Sequence, residues 1–235
     1  METGRPVLVT RPEPGASETA RKLIERGFEP VMATCLKIRR LLANLPSSGS
    51  VQAVLVTSGN AADMLPMSHH ALPLLAVGDA TASRAGQAGF ANRRSAGGDA
   101  RDLADLASRV LNPAGAALLL ACGRGDGRDM AAALRSRGFR VRRRVIYAAE
   151  PVASLPPSAV AAMASGSLHA AAFFSAETAR HFVHLVTIAG IAGTLAGTIA
   201  LAISPAAALA LEGLPWRNVR IAARPTQDEL LALLS

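Results

Sequence analysis

Short, wholly apolar runs alternate along this chain with longer segments whose apolar residues recur at helical spacing, and polar turns separate them. Residues 7–10 are the first run and predict a strand. Arg11-Pro12-Glu13-Pro14-Gly15 follows as a turn, then a helix that Ser17 can cap and that Gly27 ends. Residues 31–38 read as a strand whose far end carries Lys37, Arg39 and Arg40, and residues 44–50 as a connector. The run 51–56 predicts a buried strand ending in Thr57-Ser58-Gly59-Asn60-Ala61, with a helix beyond it that breaks around Pro66 and His69-His70. Residues 74–77 predict another strand, leading through Gly78-Asp79-Ala80-Thr81 into a helix that reaches Gly89. Asp99 is placed to cap a helix over 103–110. Strand, polar turn and helix in repeated succession predict an α/β fold with a parallel sheet covered by helices.

The pattern is written twice. A shift of 111 carries Arg26-Gly27-Phe28 onto Arg137-Gly138-Phe139, Leu23 onto Leu134 and Val7-Leu8-Val9 onto Leu118-Leu119-Leu120 without a gap. The second copy reads as a run at 118–120, a Gly-rich loop from Ala121 to Gly127, a helical segment to Arg137 and a run at 145–147. The last third repeats the middle block. Residues 171–174 lead into Ser175-Ala176-Glu177-Thr178-Ala179, and Leu201-Ala202-Ile203 leads into Ser204-Pro205-Ala206-Ala207. A shift of 127 takes Gly98-Asp99, Leu103 and Leu106 onto Pro225-Thr226, Leu230 and Leu233. The order is therefore A–B–A′–B′. Two copies of each block predict two similar lobes with a cleft between them.

Composition sharpens this picture. Half of the 235 residues are hydrophobic, enough for a substantial core. The net charge is +8, and Lys22 and Lys37 are the only lysines, so the excess is arginine, whose planar fork suits carboxylate and phosphate. The arginines are scattered with no aromatic residues interleaved, which argues against nucleic acid. Cys35 and Cys122 stand alone, without the spacing of a zinc site or a disulfide framework, and fit a reducing cytoplasm. The start of the chain carries no apolar export segment before the first strand. Between His184 and Glu212 no residue is charged, but Pro205 and the Gly, Ala and Thr content predict a buried strand at 198–203 and a helix from Pro205 rather than a membrane span.

In a parallel sheet of this kind ligands sit beyond the carboxyl ends of the strands, where backbone N–H groups at helix starts favour anions. The predicted turns there are rich in Ser, Thr and Gly. Such residues also simply cap helices, and for any single turn that is the commoner role. Gly123-Arg124-Gly125-Asp126-Gly127 departs from a dinucleotide fingerprint in spacing and lacks an acid about 20 residues on. His181 and His184 share a helix face with nothing nearby to complete a metal set.

Taken in order, Val7-Leu8-Val9-Thr10-Arg11-Pro12, Val56-Thr57-Ser58, Val77-Gly78-Asp79-Ala80-Thr81-Ala82, Val145-Ile146-Tyr147, Phe173-Phe174-Ser175 and the closing Ala223-x-Pro225-Thr226 resemble the uroporphyrinogen-III synthase family over nearly the whole chain. The resemblance implies two α/β lobes joined by a two-stranded linker. Lobe 1 would comprise 1–38 plus 151–235 and lobe 2 residues 39–147, with linker strands near 36–41 and 145–150 and Tyr147 at the hinge. It implies a cytoplasmic monomer that takes hydroxymethylbilane, a linear tetrapyrrole polycarboxylate, in a transient hand-over from the preceding pathway enzyme. The family expels the terminal hydroxyl, closes the macrocycle and inverts the last ring, with no metal or organic cofactor. No nucleic acid or membrane partner is implied.

On that resemblance Tyr147, the only tyrosine, is the candidate acid, since a phenol with a pKa near 10 is protonated at neutral pH. Thr57, Ser58, Asn60 and Thr81 on one lobe, and Ser175, Thr178 and Ser204 on the other, are candidates for holding carboxylates. Arg11 and Arg124 lie on matching turns of A and A′ and could add charge, or be solvated surface arginines. One departure stands out: family members carry Gly-Pro followed by Ser or Thr where this chain has Ser204-Pro205-Ala206-Ala207. Contact there would rest on backbone or on Ser204. The alternative function is a non-catalytic two-lobed module that binds a tetrapyrrole or similar polyanion without turning it over.

Overall fold

A computed structural model describes residues 4–235. The chain divides into two compact units, Met1–Lys37 with Glu150–Ser235, and Ile38–Ala149.

In the first unit β1 (Arg5–Val9), α1 (Gly15–Glu25) and β2 (Phe28–Met32) come from the start of the chain. From its end come α6 (Pro157–Ala164), β9 (Ala170–Phe173), α7 (Ala176–Ile188), β10 (Ile199–Ala202), α8 (Pro205–Leu209), β11 (Asn218–Ile221) and α9 (Gln227–Ala232). The strands form one sheet in the order β11-β10-β9-β1-β2, all parallel. Alternate side chains serve its two faces. Leu8, Ala171, Phe173, Ala200 and Ala202 pack with the α6, α7 and α8 side, whereas Val7, Val9, Ala170, Ala172, Ile199 and Leu201 pack with α1 and α9. Alanine dominates the central strands because both faces are covered by helices, and small side chains let those helices lie close.

The other unit runs from β3 (Leu36–Arg40), which begins just before it, through β4 (Val51–Val56), α2 (Gly59–Met64), β5 (Leu74–Ala76), α3 (Asp79–Gln87), β6 (Arg93–Ser95), α4 (Ala100–Val110), β7 (Ala117–Gly123) and α5 (Arg128–Ser136) to β8 (Val141–Pro151). The sheet order is β3-β8-β7-β4-β5-β6. Its five strands other than β3 pair in parallel. β8-β7-β4-β5-β6 repeats the plan of β2-β1-β9-β10-β11, so each sheet joins one A-type block to one B-type block. The repeated Arg-Gly pair closes equivalent helices: Arg26 and Arg137 bond back to Leu23 and Leu134, and Gly27 and Gly138 take φ of +78° and +87°, which a side chain would resist.

Several sequence expectations are corrected. Ser17 does not cap α1: the helix starts earlier, at Gly15, and both the hydroxyl and N–H of Ser17 bond the Glu13 carboxylate. The strand expected over 31–38 is two strands, β2 and β3, because Ala33 and Cys35 bond back to the end of β1 and its following turn before the chain leaves the first sheet. The loop expected from Ala121 starts later, since β7 stays paired through Gly123. β6 and β11 were not predicted; both are short, exposed edge strands without an apolar run. Among the described residues no helix is long and apolar enough to cross a membrane.

Candidate functional site

Both sheets reverse their winding at one junction, β1/β9 in the first and β7/β4 in the second, and the turns leaving those strands flank the crevice where such sheets bind ligands. At the first junction the Thr10 hydroxyl, fully buried, donates to the Ala172 carbonyl at 2.7 Å and ties the two strands together. Arg11 comes next. Its guanidinium lies 4.3 Å from the centre of the Phe174 ring and donates to Gln227 Oε1 at 2.7 Å. It also covers the start of α1, where a Cβ on Gly15 would come within 2.4 Å of it. A cation over the positive end of a helix dipole makes that corner favourable for an anion. Arg11 is therefore half-buried and structurally engaged, not a solvated surface arginine.

Ser175 follows β9 and caps α7, accepting from the Thr178 N–H at 3.1 Å while donating to the Thr178 hydroxyl at 2.9 Å. Thr178 is buried. Ser204 follows β10 and accepts from the Ala207 N–H at 3.3 Å. The hydroxyl expected beyond Pro205 thus has a counterpart before it; Ala206 is exposed and Ala207 fully buried.

The second sheet repeats the scheme. Ser58 caps α2 by accepting from the Asn60 N–H at 3.2 Å, and Thr57 and Asn60 beside it are half-buried. Arg84 crosses Gly59, where a Cβ would lie 2.4 Å from its Cδ, and is neutralised by Asp63 at 2.7 Å. Thr81 is half-buried in the first turn of α3. The sequence-predicted residues thus gather at the carboxyl edge of each sheet: Arg11, Ser175, Thr178 and Ser204 in one unit, Thr57, Ser58, Asn60, Thr81, Arg124 and Tyr147 in the other.

Tyr147 lies on β8 opposite Gly123 of β7 and is 6% exposed. Its ring covers Gly123, where an added Cβ would stand 2.8 Å from Cζ, so only glycine fits at that position. The Arg124 N–H donates to the Tyr147 carbonyl at 2.9 Å, while the Arg124 side chain is exposed. Asp126 closes on the same spot, its Oδ2 2.9 Å from that point above Gly123. Sequence reasoning passed over Gly123 and Asp126, because the loop read as a failed dinucleotide fingerprint and only the β7–β8 register brings it under the tyrosine.

The cysteines offer no nucleophile. Burial pushes the Cys35 thiol up to about 12. Burial raises Cys122 as well, against the opposing pull of Arg143. Both therefore stay protonated at neutral pH. His184 is exposed and His181 half-buried on α7, and among the described residues no cluster of metal-binding side chains forms.

Comparison with known proteins bears on the whole arrangement. The family model described as uroporphyrinogen-III synthase HemD matches residues 17–232. Uroporphyrinogen-III synthetase from Helicobacter pylori 26695 has the same fold, with a TM-score of 0.63 at 17% identity over 98% of each chain. A mutant uroporphyrinogen III synthase from the extremely thermophilic bacterium Thermus thermophilus aligns at 18% identity over 98% of this chain and 97% of its own, with a TM-score of 0.48. A further structure of Thermus thermophilus uroporphyrinogen III synthase aligns at 20% identity over the same shares, with a TM-score of 0.41. No curated protein matches the chain in sequence. The family model spans both blocks and their copies, and on that extent this chain belongs to the uroporphyrinogen-III synthase family, whose members are lyases that close a linear tetrapyrrole.

Proposed function

We propose that this chain converts hydroxymethylbilane to uroporphyrinogen III with Tyr147 as the assisting acid and the carboxyl-edge turns as its carboxylate holders. The observation that carries the activity is the family match across residues 17–232. What supports the assignment of roles is the placement of Tyr147 over Gly123, at the carboxyl end of β7.

The reaction breaks the C–O bond of the terminal hydroxymethyl group, and the Tyr147 phenol gives its proton to the departing oxygen as water forms. The electron-poor methylene left behind bonds to the already substituted carbon of the last ring, giving a spiro intermediate. The bond from that carbon to its own methylene bridge then breaks and re-forms at the ring's free carbon, which inverts the ring, and the proton lost from that free carbon returns to the phenolate. No net proton is consumed. A phenol suits the step because it is protonated at neutral pH yet can release its proton as charge develops on the leaving oxygen. Most of the acceleration comes from holding the two ends of a flexible chain together in the inverting orientation, a proximity effect worth up to several kcal/mol. Arg11 and Arg124 supply positive charge to the two sets of turns. Because Ser58 and Ser204 already accept from their own helices, their share of carboxylate binding falls to the free donor capacity of the hydroxyl and to neighbouring backbone N–H groups, whereas Ser175, which also donates to Thr178, leaves that share to the backbone N–H groups alone.

The enzyme is read as a cytoplasmic monomer that receives its unstable substrate in a transient hand-over from the preceding pathway enzyme. No observation favours the non-catalytic reading. The deciding experiment generates hydroxymethylbilane in place, adds this protein, oxidises the products and separates the porphyrin isomers. Predominant type III is expected. Type I alone, formed at the uncatalysed rate by well-folded protein, would overturn the reading.

A further inference from the structure

The amino edge of the first unit's sheet, opposite the turns described above, holds a cavity of about 370 Å³. Three chain segments converge on it as they enter the sheet. Arg5 begins β1, His169 precedes β9 and donates its backbone N–H to Pro6, and Arg217 precedes β11 and donates its backbone N–H to Thr198. Arg220 of β11 also lines the cavity, with Asn218 and Leu234, and none of its lining residues is an Asp or Glu.

Among the described residues no side-chain carboxylate compensates the charge here. Arg220 is turned onto main-chain oxygens, donating to Leu233 at 2.6 Å and to Ser235 at 3.1 Å. Arg5 lies over the Phe28 ring, 5.1 Å from its centre, and among the described residues no carboxylate side chain pairs with Arg5, Arg217 or Arg220. Some basic residues elsewhere do meet a carboxylate, among them Lys22 with Asp228, Arg84 with Asp63, Arg137 with Asp105 and Arg224 with Glu229.

His169 is the second, independent sign. Its ring stacks on Phe28 at 5.7 Å, 17° from parallel, which fixes its plane. Nε2 is buried and has no hydrogen-bond partner, a state that folded proteins normally avoid. Burial, and then the neighbouring Arg5, Arg220 and Arg217, hold the imidazole below its ordinary pKa; the Leu234 backbone pulls the other way without bonding Nε2. The ring is therefore held toward its neutral form, and in the tautomer with its hydrogen on Nε2 that buried N–H, beside Arg5, Arg217 and Arg220, has an anion as its natural acceptor.

We propose that this cavity is a binding site for a small oxyanion, phosphate or carboxylate, gripped by Arg5 and Arg217 with the His169 Nε2–H as a directional donor. Guanidinium forks match such oxygens in pairs, and the imidazole adds a geometric requirement that chloride would not satisfy as well. The site is separate from the substrate turns, so it offers the enzyme a place to sense phosphate or a metabolic carboxylate without competing with the tetrapyrrole. The second unit contains a cavity of about 400 Å³ at its own amino edge, lined by Asn92, Arg94 and Arg109, where Asn92 and Arg94 match Asn218 and Arg220 in strand register. No histidine lines it, so it serves as an internal control.

The test titrates inorganic phosphate and succinate separately into the full chain, at ionic strength held constant with KCl, by calorimetry and by NMR of the His169 ring. Saturable binding by either probe with a His169 shift is expected, and the tighter probe assigns the source. Arg217→Ala, at an exposed position, and His169→Phe, which keeps the stacking and removes the donor, are each expected to weaken binding at least tenfold. Arg137→Ala, in the second unit, should leave it unchanged. The proposal falls if neither probe saturates below about 10 mM, a bound set just above millimolar affinity, or if binding is the same in Arg217→Ala and His169→Phe as in the parent. Neither result depends on turnover, so it stands apart from the porphyrin-isomer assay.

Discussion

Tyr147 and Gly123 show how a single contact can specify two residues at once. The ring occupies the space where a Cβ of residue 123 would project, so the glycine is there for the tyrosine and not for a turn of its own; no left-handed φ is required of it. Tyr147→Phe keeps that packing and removes only the proton donor. It is expected to lower kcat by about 10–100-fold, at or below the lower end for general acids, with KM nearly unchanged. Gly123→Ala should lower kcat similarly while also costing about 1–3 kcal/mol of stability through overpacking. Steady-state kinetics with a denaturation curve on each variant checks both. A Tyr147→Phe enzyme with full kcat would remove the phenol from the mechanism. The tyrosine was visible in the sequence as the only phenol; its partner was not, because register across two strands is not a local property.

At the level of elements, the polar turns carry two duties that the sequence could not separate. Ser58, Ser175, Ser204, Asp99 and Thr226 all accept from N–H groups of the helices they precede. Asp99 goes further: bonds from the Arg101 and Asp102 N–H groups hold its carboxyl below the usual range. Its contribution is thus present above the unfolded pKa and lost as the pH falls through the lowered one. Ser175→Ala is expected to cost about 1 kcal/mol of stability, as lost caps do, and to change KM less than twofold. Thermal melts beside substrate titrations distinguish the two roles. A large rise in KM with an unchanged melting temperature would mean that the hydroxyl holds substrate instead. The capped helices were legible because a cap is a short-range pattern, whereas β6 and β11 were missed because an exposed edge strand is defined by its neighbour.

Taken whole, the molecule has its first sheet assembled from both ends of the chain. β1, central in the order β11-β10-β9-β1-β2, is separated in sequence from β9 by the entire second unit. Residues 38–149 are continuous and have their own two-faced core around β4 and β7. This segment expressed alone is expected to unfold cooperatively. Residues 150–235 alone should not, because β9 would lose the neighbour that buries its flank, and co-expression with residues 1–37 should restore the transition. Circular dichroism on the three samples checks this. Cooperative folding of 150–235 by itself would show that β1 is dispensable to that core.

Local chemistry and repetition were enough to determine the α/β class, the duplicated plan, the helix stops at Gly27 and Gly138 and the turns that gather at the sheet edges. These follow from side-chain periodicity, backbone conformational preference and self-similarity, all readable within a few residues or by comparing the chain with itself. Tertiary structure alone decided that Ala33–Cys35 separates two strands, that Arg11 is tied to Gln227, that Tyr147 covers Gly123 and that His169 faces three arginines across a cavity. Each of these joins residues far apart in sequence, and such pairs come together only when strand order and register are set by burying both faces of a sheet.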